Sequence, residues 1–292
     1  ALPSKRITIN LSPADMPKEG SHFDLPIALG LLAALEILPR DAIAQTVSLG
    51  ELSLDGALVP VVGTLPAAMT AANEDRALLC PRASSREAAW VEACRVLGAG
   101  NLIEIVQHFS GQNVIDPATP GEVQGDATHR DLRDVKGQER AKRVLEIAAA
   151  GRHHMVMIGT PGAGKSMLAR RLPGILPPLS PIEALETSMI HSIAGILKEG
   201  GISRERPFRD THHTASRASI IGGGRGAKPG EVSLAHNGVL FMDELPEFQR
   251  DVLETLRQPI ETGEVMIARA NAHVIPAASM RDSFGIPFRS SP

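Results

Sequence analysis

Residues Gly159-Thr160-Pro161-Gly162-Ala163-Gly164-Lys165-Ser166 spell G-x-x-x-x-G-K-S, a spacing that cradles phosphate. Glycines let the backbone turn inward, so that its N–H groups converge on one point. The helix predicted from Met167 to Leu172 would add the partial positive charge of its N-terminus. Lys165 is spaced to reach the β- and γ-phosphates, and the Ser166 hydroxyl to ligate Mg²⁺. A glycine-rich turn alone is a weak signal. Here the apolar run His154–Ile158 reads as a strand feeding the loop, which supplies the strand–loop–helix context the motif requires. Gly159 to Met167 are therefore the expected nucleotide contacts.

A second stretch bears on the same chemistry. Asn237-Gly238-Val239-Leu240-Phe241-Met242-Asp243-Glu244 is a short apolar strand ending in two carboxylates. Asp243 delivered beside Ser166 would complete a Mg²⁺ site, and Glu244 would orient or deprotonate a water facing the γ-phosphate. The residues imply a Mg²⁺-dependent ATP or GTP site without choosing the base.

Arg204 to Lys228 differs from the rest of the chain. Arg204, Arg206, Arg209, Arg217, Arg225 and Lys228 outnumber Glu205 and Asp210, and Gly222-Gly223-Gly224 lies among them. The expectation is a mobile basic loop, either simply solvated or able to track a nucleic-acid backbone. His212 and His213 fall inside it but lack a carboxylate or Cys partner in the sequence, so they read as a poor metal site.

The elements that position these groups fill 292 residues, a length for about two domains. Net charge is −3, so a nucleic-acid contact must come from a local patch. Cys80 and Cys94 are far apart and without ligand spacing, and read as reduced packing residues of a cytoplasmic protein. No signal peptide is visible, and the apolar run Leu25–Leu38 is too short to span a bilayer. The chain lacks an initiator Met and starts almost inside a strand, so it reads as an interior fragment of a longer protein.

In order, Arg6–Leu11 alternates as a half-buried strand, and Asp24 N-caps a helix through Gly30. Val47–Leu54 and Ala57–Val61 flank an Asp55-Gly56 turn as a hairpin. A helix near Leu65–Ala72, a strand at Ala77–Cys80 and a helix from Ser85, capped through Ser84 and Glu87, follow. Leu102–Val106 is predicted to close the domain as a strand. Val114–Arg130 reads as linker. A helix ends at Ala150 with Gly151 behind it, and Ser180 with Glu183 starts another through about Ala194. Pro246–Leu256 reads as helix and Ile260–Arg269 as a hairpin.

Pro17-Lys18-Glu19-Gly20, Gly50-Glu51-Leu52 and Leu58–Gly63 resemble the Lon-protease C-terminal domain, of ribosomal-S5-like fold. A Lon-type enzyme would need a Ser–Lys pair. Ser21 is the only hydroxyl near the first turn, and no Lys occurs between Ser53 and Arg76, so the resemblance implies a non-proteolytic scaffold.

From Ala1 to about Val274 the sequence resembles the Mg-chelatase-like AAA+ proteins of bacteria, the ComM/YifB group. Lys5–Leu11, Phe23–Leu29, Gly159–Ser166, Phe208–Thr214 and Asn237–Phe248 carry the likeness. It implies an α/β P-loop AAA+ core, a parallel sheet flanked by helices, over 131–275. An α+β Lon-like domain would cover 1–113, with a linker over 114–130 and an irregular tail over 276–292. It also implies Val135 and Gly137 beside the adenine, hexameric rings, and cytoplasmic DNA processing as in natural transformation, of a branch-migration or helicase kind. The Arg209–Lys228 stretch would be the family's insert and Gln258–Arg269 its hairpin, making Arg217, Arg225, Lys228 and Arg269 the expected DNA contacts. The alternatives are an ATPase that remodels a protein partner in a chelatase-type complex, and a nucleotide-binding fragment without turnover. After Val274 the sequence departs from the family's sensor 1, arginine finger and lid. The expectation is weak nucleotide binding and turnover below ~1 s⁻¹.

Overall fold

The computed structural model describes residues 6–11, 20–123, 130–197, 200–223 and 228–262. They form two compact units, one running to Glu122 and including Ser192–Gly201, the other holding Val123–His191 and the residues from Ile202 onward.

In the first unit, α1 (Asp24–Ala34) and α2 (Arg40–Ala44) precede β1 (Thr46–Ser48), β2 (Glu51–Leu52) and β3 (Leu58–Val59). Then come α3 (Thr64–Asn73), β4 (Ala77–Pro81), α4 (Arg82–Ala88), β5 (Val96–Ala99) and α5 (Leu102–Phe109). Strands β1, β4 and β5 make a parallel sheet with β4 central, while β2 and β3 pair antiparallel. A strand buried on both faces must be apolar at every position, and the Ala77–Pro81 run is. Leu79 and Leu97 face Leu25, Leu29 and Ile105, and Leu78, Cys80 and Val96 face Ala68, Ala71 and Ala88. A Cβ on Gly98 would lie 2.5 Å from Ser85 Oγ, so glycine is what lets α4 sit this close to β5. Cys80 and Cys94 are free thiols in that second cluster. Burial, with Glu87 and Cys94 adding, pushes the Cys80 thiol up to about 12, so it packs as an inert apolar group.

Several local expectations fail here for identifiable reasons. Arg6–Leu11 forms no strand, and Ile7 and Ile9 are exposed, because no neighbouring strand pairs with it among the described residues. Asp24 is the first residue of α1 rather than its cap, and its carboxylate accepts from Leu52 N–H. The first arm of the expected hairpin is split, since Thr46–Ser48 pairs in parallel with β4. Leu102–Val106 is helix, not strand. Asn101 accepts from Glu104 N–H, and Glu104 in turn accepts from the Asn101 side chain and Gly100 N–H. That N-x-x-E cap outweighs a short apolar run that fits either state. Ser84 and Glu87 do not cap α4, which starts at Arg82. Ser84 Oγ donates to Val61 O, and Glu87 accepts from Leu65 N–H. The stretch read as linker begins by pairing with β5, Ala118 N–H to Val96 O and Leu97 against Pro117.

The second unit contains α6 (Glu139–Gly151), α7 (Lys165–Ala169), α8 (Pro181–Ala194, its last three residues counted with the first unit) and β6 (Phe208–Thr211). It continues through α9 (Arg217–Ile221), β7 (Gly222–Gly223), β8 (Lys228–Pro229), α10 (Glu231–Leu234), β9 (Val239–Met242) and α11 (Arg250–Thr262). Helix α8 carries the expected reciprocal cap, Ser180 N–H to Glu183 and Glu183 N–H to Ser180 Oγ. Strands β6 and β9 run parallel, with Thr211 opposite Met242. Gly238 admits that pairing, because a Cβ there would lie 2.1 Å from Pro207 O. Ile220, Val232, Phe248, Val252 and Leu256 form the core beside this pair.

The described part of the basic stretch is not one loop. It supplies β6, and its cations are largely engaged within the fold. Arg206 is buried against Glu183, Pro177 O and Asn237 O, and Arg209 grips Glu231 with two bonds of 2.6 and 2.9 Å. Arginine bonded this way serves packing rather than a solvated face. Pro246 lies in a 3₁₀ turn, Leu245–Glu247, and α11 starts only at Arg250. It continues through Ile260 to Thr262, where a hairpin was expected. The pairs Arg250–Glu254 and Arg257–Glu261 at four-residue spacing, with Val252 and Leu256 buried, favour helix through Thr262. The rest of that hairpin, Arg269 included, lies outside the described residues.

Candidate functional site

The phosphate-type loop is built by two left-handed glycines, Gly162 at φ 78° and Gly164 at φ 84°, where any side chain would be strained. Gly159 has no such requirement; a Cβ there would meet Ala163 at an ordinary 3.5 Å. Lys165 Nζ donates to Gly159 O at 2.9 Å and Thr160 O at 3.1 Å, so the ammonium straps the mouth of the loop. Gln138 Nε2 donates to Ala163 O at 2.9 Å from across the unit. Helix α7 is five residues long, shorter than expected, and gives way to a 3₁₀ turn at Leu172–Ile175. A helix this short adds little dipole to the loop.

The expected strand into the loop does not form. His154–Ile158 has no ladder partner among the described residues, and Val156 and Ile158 are 74% and 95% exposed. Met155 and Met157, the alternate positions, pack against Leu132, Val135, Leu145 and Leu168. Val135 is itself 2% exposed in that cluster, and Gly137 lies open at φ 67°. Met167 is partly exposed at the start of α7.

The two carboxylates follow β9 directly. Ser166 Oγ donates to Asp243 Oδ2 at 2.8 Å, closing a gap of 77 residues in sequence. A hydroxyl and a carboxylate oxygen side by side are the hard donors that Mg²⁺ takes, with water and phosphate oxygens completing its shell. This donor set, beside an anion-cradling loop, fits a Mg²⁺–nucleotide. Glu244 sits in the left-handed region at φ 55°, and its N–H donates to Asp243 Oδ1 at 3.0 Å. Such a backbone costs about 1–3 kcal/mol for a non-glycine residue and is concentrated at functional sites. It turns the Glu244 side chain off the strand, 61% exposed, to within 3.0 Å of His213 Nδ1. Arg170 on the loop side pairs with Asp210 on β6 at 2.8 Å.

The structure thus brings together Gly159–Ser166, Asp243 and Glu244. Arg217 and Lys228 are exposed, on α9 and β8, and Arg225 lies outside the described residues. Gln138 and His213 are partners the sequence reading missed. Neither is signalled locally, because each meets its partner 25 or more residues away.

Comparison with known proteins bears on the same residues. The family profile described as magnesium chelatase, subunit ChlI, matches residues 131–281, spanning the loop and both carboxylates. The chain belongs to this Mg-chelatase-like family. A second profile, subunit ChlI of Mg-chelatase, matches residues 1–84. Among its Mg-chelatase-like relatives, competence protein ComM of Haemophilus influenzae is 46% identical over 277 residues, 93% of this chain and 54% of the relative. YifB of Escherichia coli is 44% identical over 272 residues, again 93% of this chain and 54% of the relative. The match therefore places the chain with the ComM/YifB group, and the chain spans about half the length of these curated relatives. The magnesium-chelatase 38 kDa subunit of Rhodobacter capsulatus is more distant, 26% identical over 152 residues, 46% of this chain and 43% of that subunit. No helix among the described residues is long and apolar enough to cross a membrane.

Proposed function

We propose that this Mg-chelatase-like chain is the ATP-binding part of an AAA+ motor subunit that couples Mg-ATP hydrolysis to DNA remodelling. The observation that carries the reading is the 2.8 Å contact between Ser166 Oγ and Asp243 Oδ2, at the mouth of a loop strapped by Lys165. Bound Mg-ATP supplies the electrophilic γ-phosphorus and a cation that neutralises charge at the β–γ bridge. Lys165 exchanges its two carbonyl partners for phosphate oxygens and stabilises their charge. Ser166 and Asp243 hold the cation, and Glu244 Oε accepts the proton of the attacking water. Gly159 to Met167 line the phosphates, and Val135 and Gly137 keep the adenine role that the family resemblance implies, Gly137 as the open position and Val135 as packing behind it.

The subunit is read as a cytoplasmic, ring-forming one, with hexamers the family expectation. The first unit is read as a Lon-like scaffold without proteolysis. There the Ser21 hydroxyl donates to the Glu51 carboxylate instead of to a lysine base. DNA contact falls to Arg217, Arg225, Lys228 and Arg269. The likeness to the 38 kDa chelatase subunit favours a second reading, an ATPase acting on a protein partner.

Steady-state phosphate release with and without single-stranded and forked DNA, using Lys165→Ala as blank, separates these readings. Stimulation by DNA supports the motor, and ATP turnover indifferent to DNA supports the protein-partner reading. ATP binding without turnover leaves a nucleotide-binding module. Joint Arg217→Ala and Arg225→Ala substitution is expected to weaken DNA binding and to reduce the slope of log affinity against log salt by about 2. A slope equal to that of the unsubstituted chain would remove both residues from the interface.

A further inference from the structure

His212 and His213 gain in three dimensions the carboxylate they lack in sequence. Glu244, 31 residues beyond His213, brings an oxygen to 3.0 Å from His213 Nδ1. One ligand atom from each of His212, His213 and Glu244 lies within 4.8 Å of the other two. The imidazole rings are 4.0 Å apart between centroids and tilted by 36°.

One feature distinguishes this from an accidental cluster. His213 Nδ1 is buried and makes no hydrogen bond, because its approach to Glu244 is close but misaligned. A buried nitrogen left in that state is costly, and a cation lying between it and the carboxylate would satisfy both groups. His212 is already oriented. Its Nδ1 accepts from Thr214 N–H at 3.3 Å and lies 2.9 Å from Thr214 Oγ1.

We propose that His212, His213 and Glu244 form a binding site for a borderline divalent cation of the zinc class, distinct from the Mg²⁺ pair of Ser166 and Asp243. Two imidazoles and one carboxylate with an open fourth position is a donor set zinc takes, whereas Mg²⁺ prefers oxygen alone. Zn–N and Zn–O bonds near 2.0–2.1 Å put neighbouring tetrahedral donors about 3.4 Å apart. His213 and Glu244, 3.0 Å apart, are slightly closer than that, and His212 offers its ligand atom within 4.8 Å of both, so small side-chain adjustments seat the ion. Occupancy withdraws Glu244 from its water. The site then acts as a brake, with nucleotide still held by the loop and turnover stopped. This consequence rests on the ATPase reading; the binding of metal does not.

The test is titration of the full chain, free of nucleotide, with Co²⁺ followed by its visible absorption, and with Zn²⁺ in competition. The expected result is one saturable site displaced by Zn²⁺, weakened at least ~10-fold by His212→Ala or His213→Ala. With 10 histidines in the chain, the variants are what assign the signal. Far-UV circular dichroism of each variant in chelator checks the fold, with His213→Gln replacing any alanine variant that fails to fold. A chain that shows no saturable Co²⁺ band, or histidine variants that bind like the unsubstituted chain, would overturn the site. Metal binding intact with no ATP turnover under any condition would retain the site and sink the ATPase reading instead.

Discussion

Replacing Lys165 with alanine is expected to lower the affinity for Mg-ATP by about 10²-fold, read by calorimetric titration. A charged hydrogen bond contributes about 1.5–3 kcal/mol, and about 1.4 kcal/mol is a factor of ten in affinity. Lys165 also closes the loop on itself through Gly159 O and Thr160 O. Its removal costs both the ligand contact and the preorganised loop that presents Gly162 and Gly164. Lys165→Arg tests the distinction. It keeps the charge, but a planar fork does not reproduce a compact ammonium lying between two carbonyls at 2.9 and 3.1 Å, so most of the loss should remain. Unchanged affinity in Lys165→Ala would mean that nucleotide, if bound, sits elsewhere.

The largest expected effect on stability is at Arg206, far in role from the phosphates. Its guanidinium is 7% exposed and bonds Pro177 O, Asn237 O and both Glu183 oxygens, tying α8 to the entry of β9. Removing one partner of a buried pair costs about 3–5 kcal/mol, because the other charge stays behind. Glu183 keeps Arg152 at 3.1 Å, so Arg206→Ala is expected at the lower end, about 3 kcal/mol by urea denaturation. Burial by itself would raise the Glu183 carboxyl. The Ser180 N–H, Arg206 and Arg152 outweigh it and hold the carboxyl below its usual 4.5. A lowered folded-state value means this stabilisation is complete above about pH 4.5 and is lost as pH falls through the folded-state value. The denaturation midpoint of the unsubstituted chain should therefore drop faster below that pH than that of Arg206→Ala. Parallel pH profiles, or a loss under 1 kcal/mol, would show that the pair holds little.

Chemistry was more legible in this sequence than architecture. The Gly159–Ser166 spacing fixes its own backbone through Gly162 and Gly164, and an apolar run ending in Asp243 must be a strand end, so both could be read locally. What failed depended on distant partners. Val156 and Ile158 have strand-forming side chains, but a strand needs a neighbour to bond to, and none pairs there among the described residues. Arg206 and Arg209 read as solvated cations because Glu183 and Glu231, which neutralise them, are 23 and 22 residues away. Leu102–Val106 could have been read correctly. Asn101 and Glu104 carry a cap signature as clear as the Ser180–Glu183 pair that was read as one.

The most direct measurement is ATP binding by the full chain as a function of Mg²⁺, for the unsubstituted chain and for Asp243→Asn. If Ser166 and Asp243 hold the cation that bridges to phosphate, affinity rises with Mg²⁺ in the first and much less in the second, and Lys165→Ala binds weakly with or without Mg²⁺. ATP affinity that is the same in chelator and in excess Mg²⁺, or that is untouched by Asp243→Asn, would contradict a Mg-nucleotide site built on the 2.8 Å Ser166–Asp243 contact.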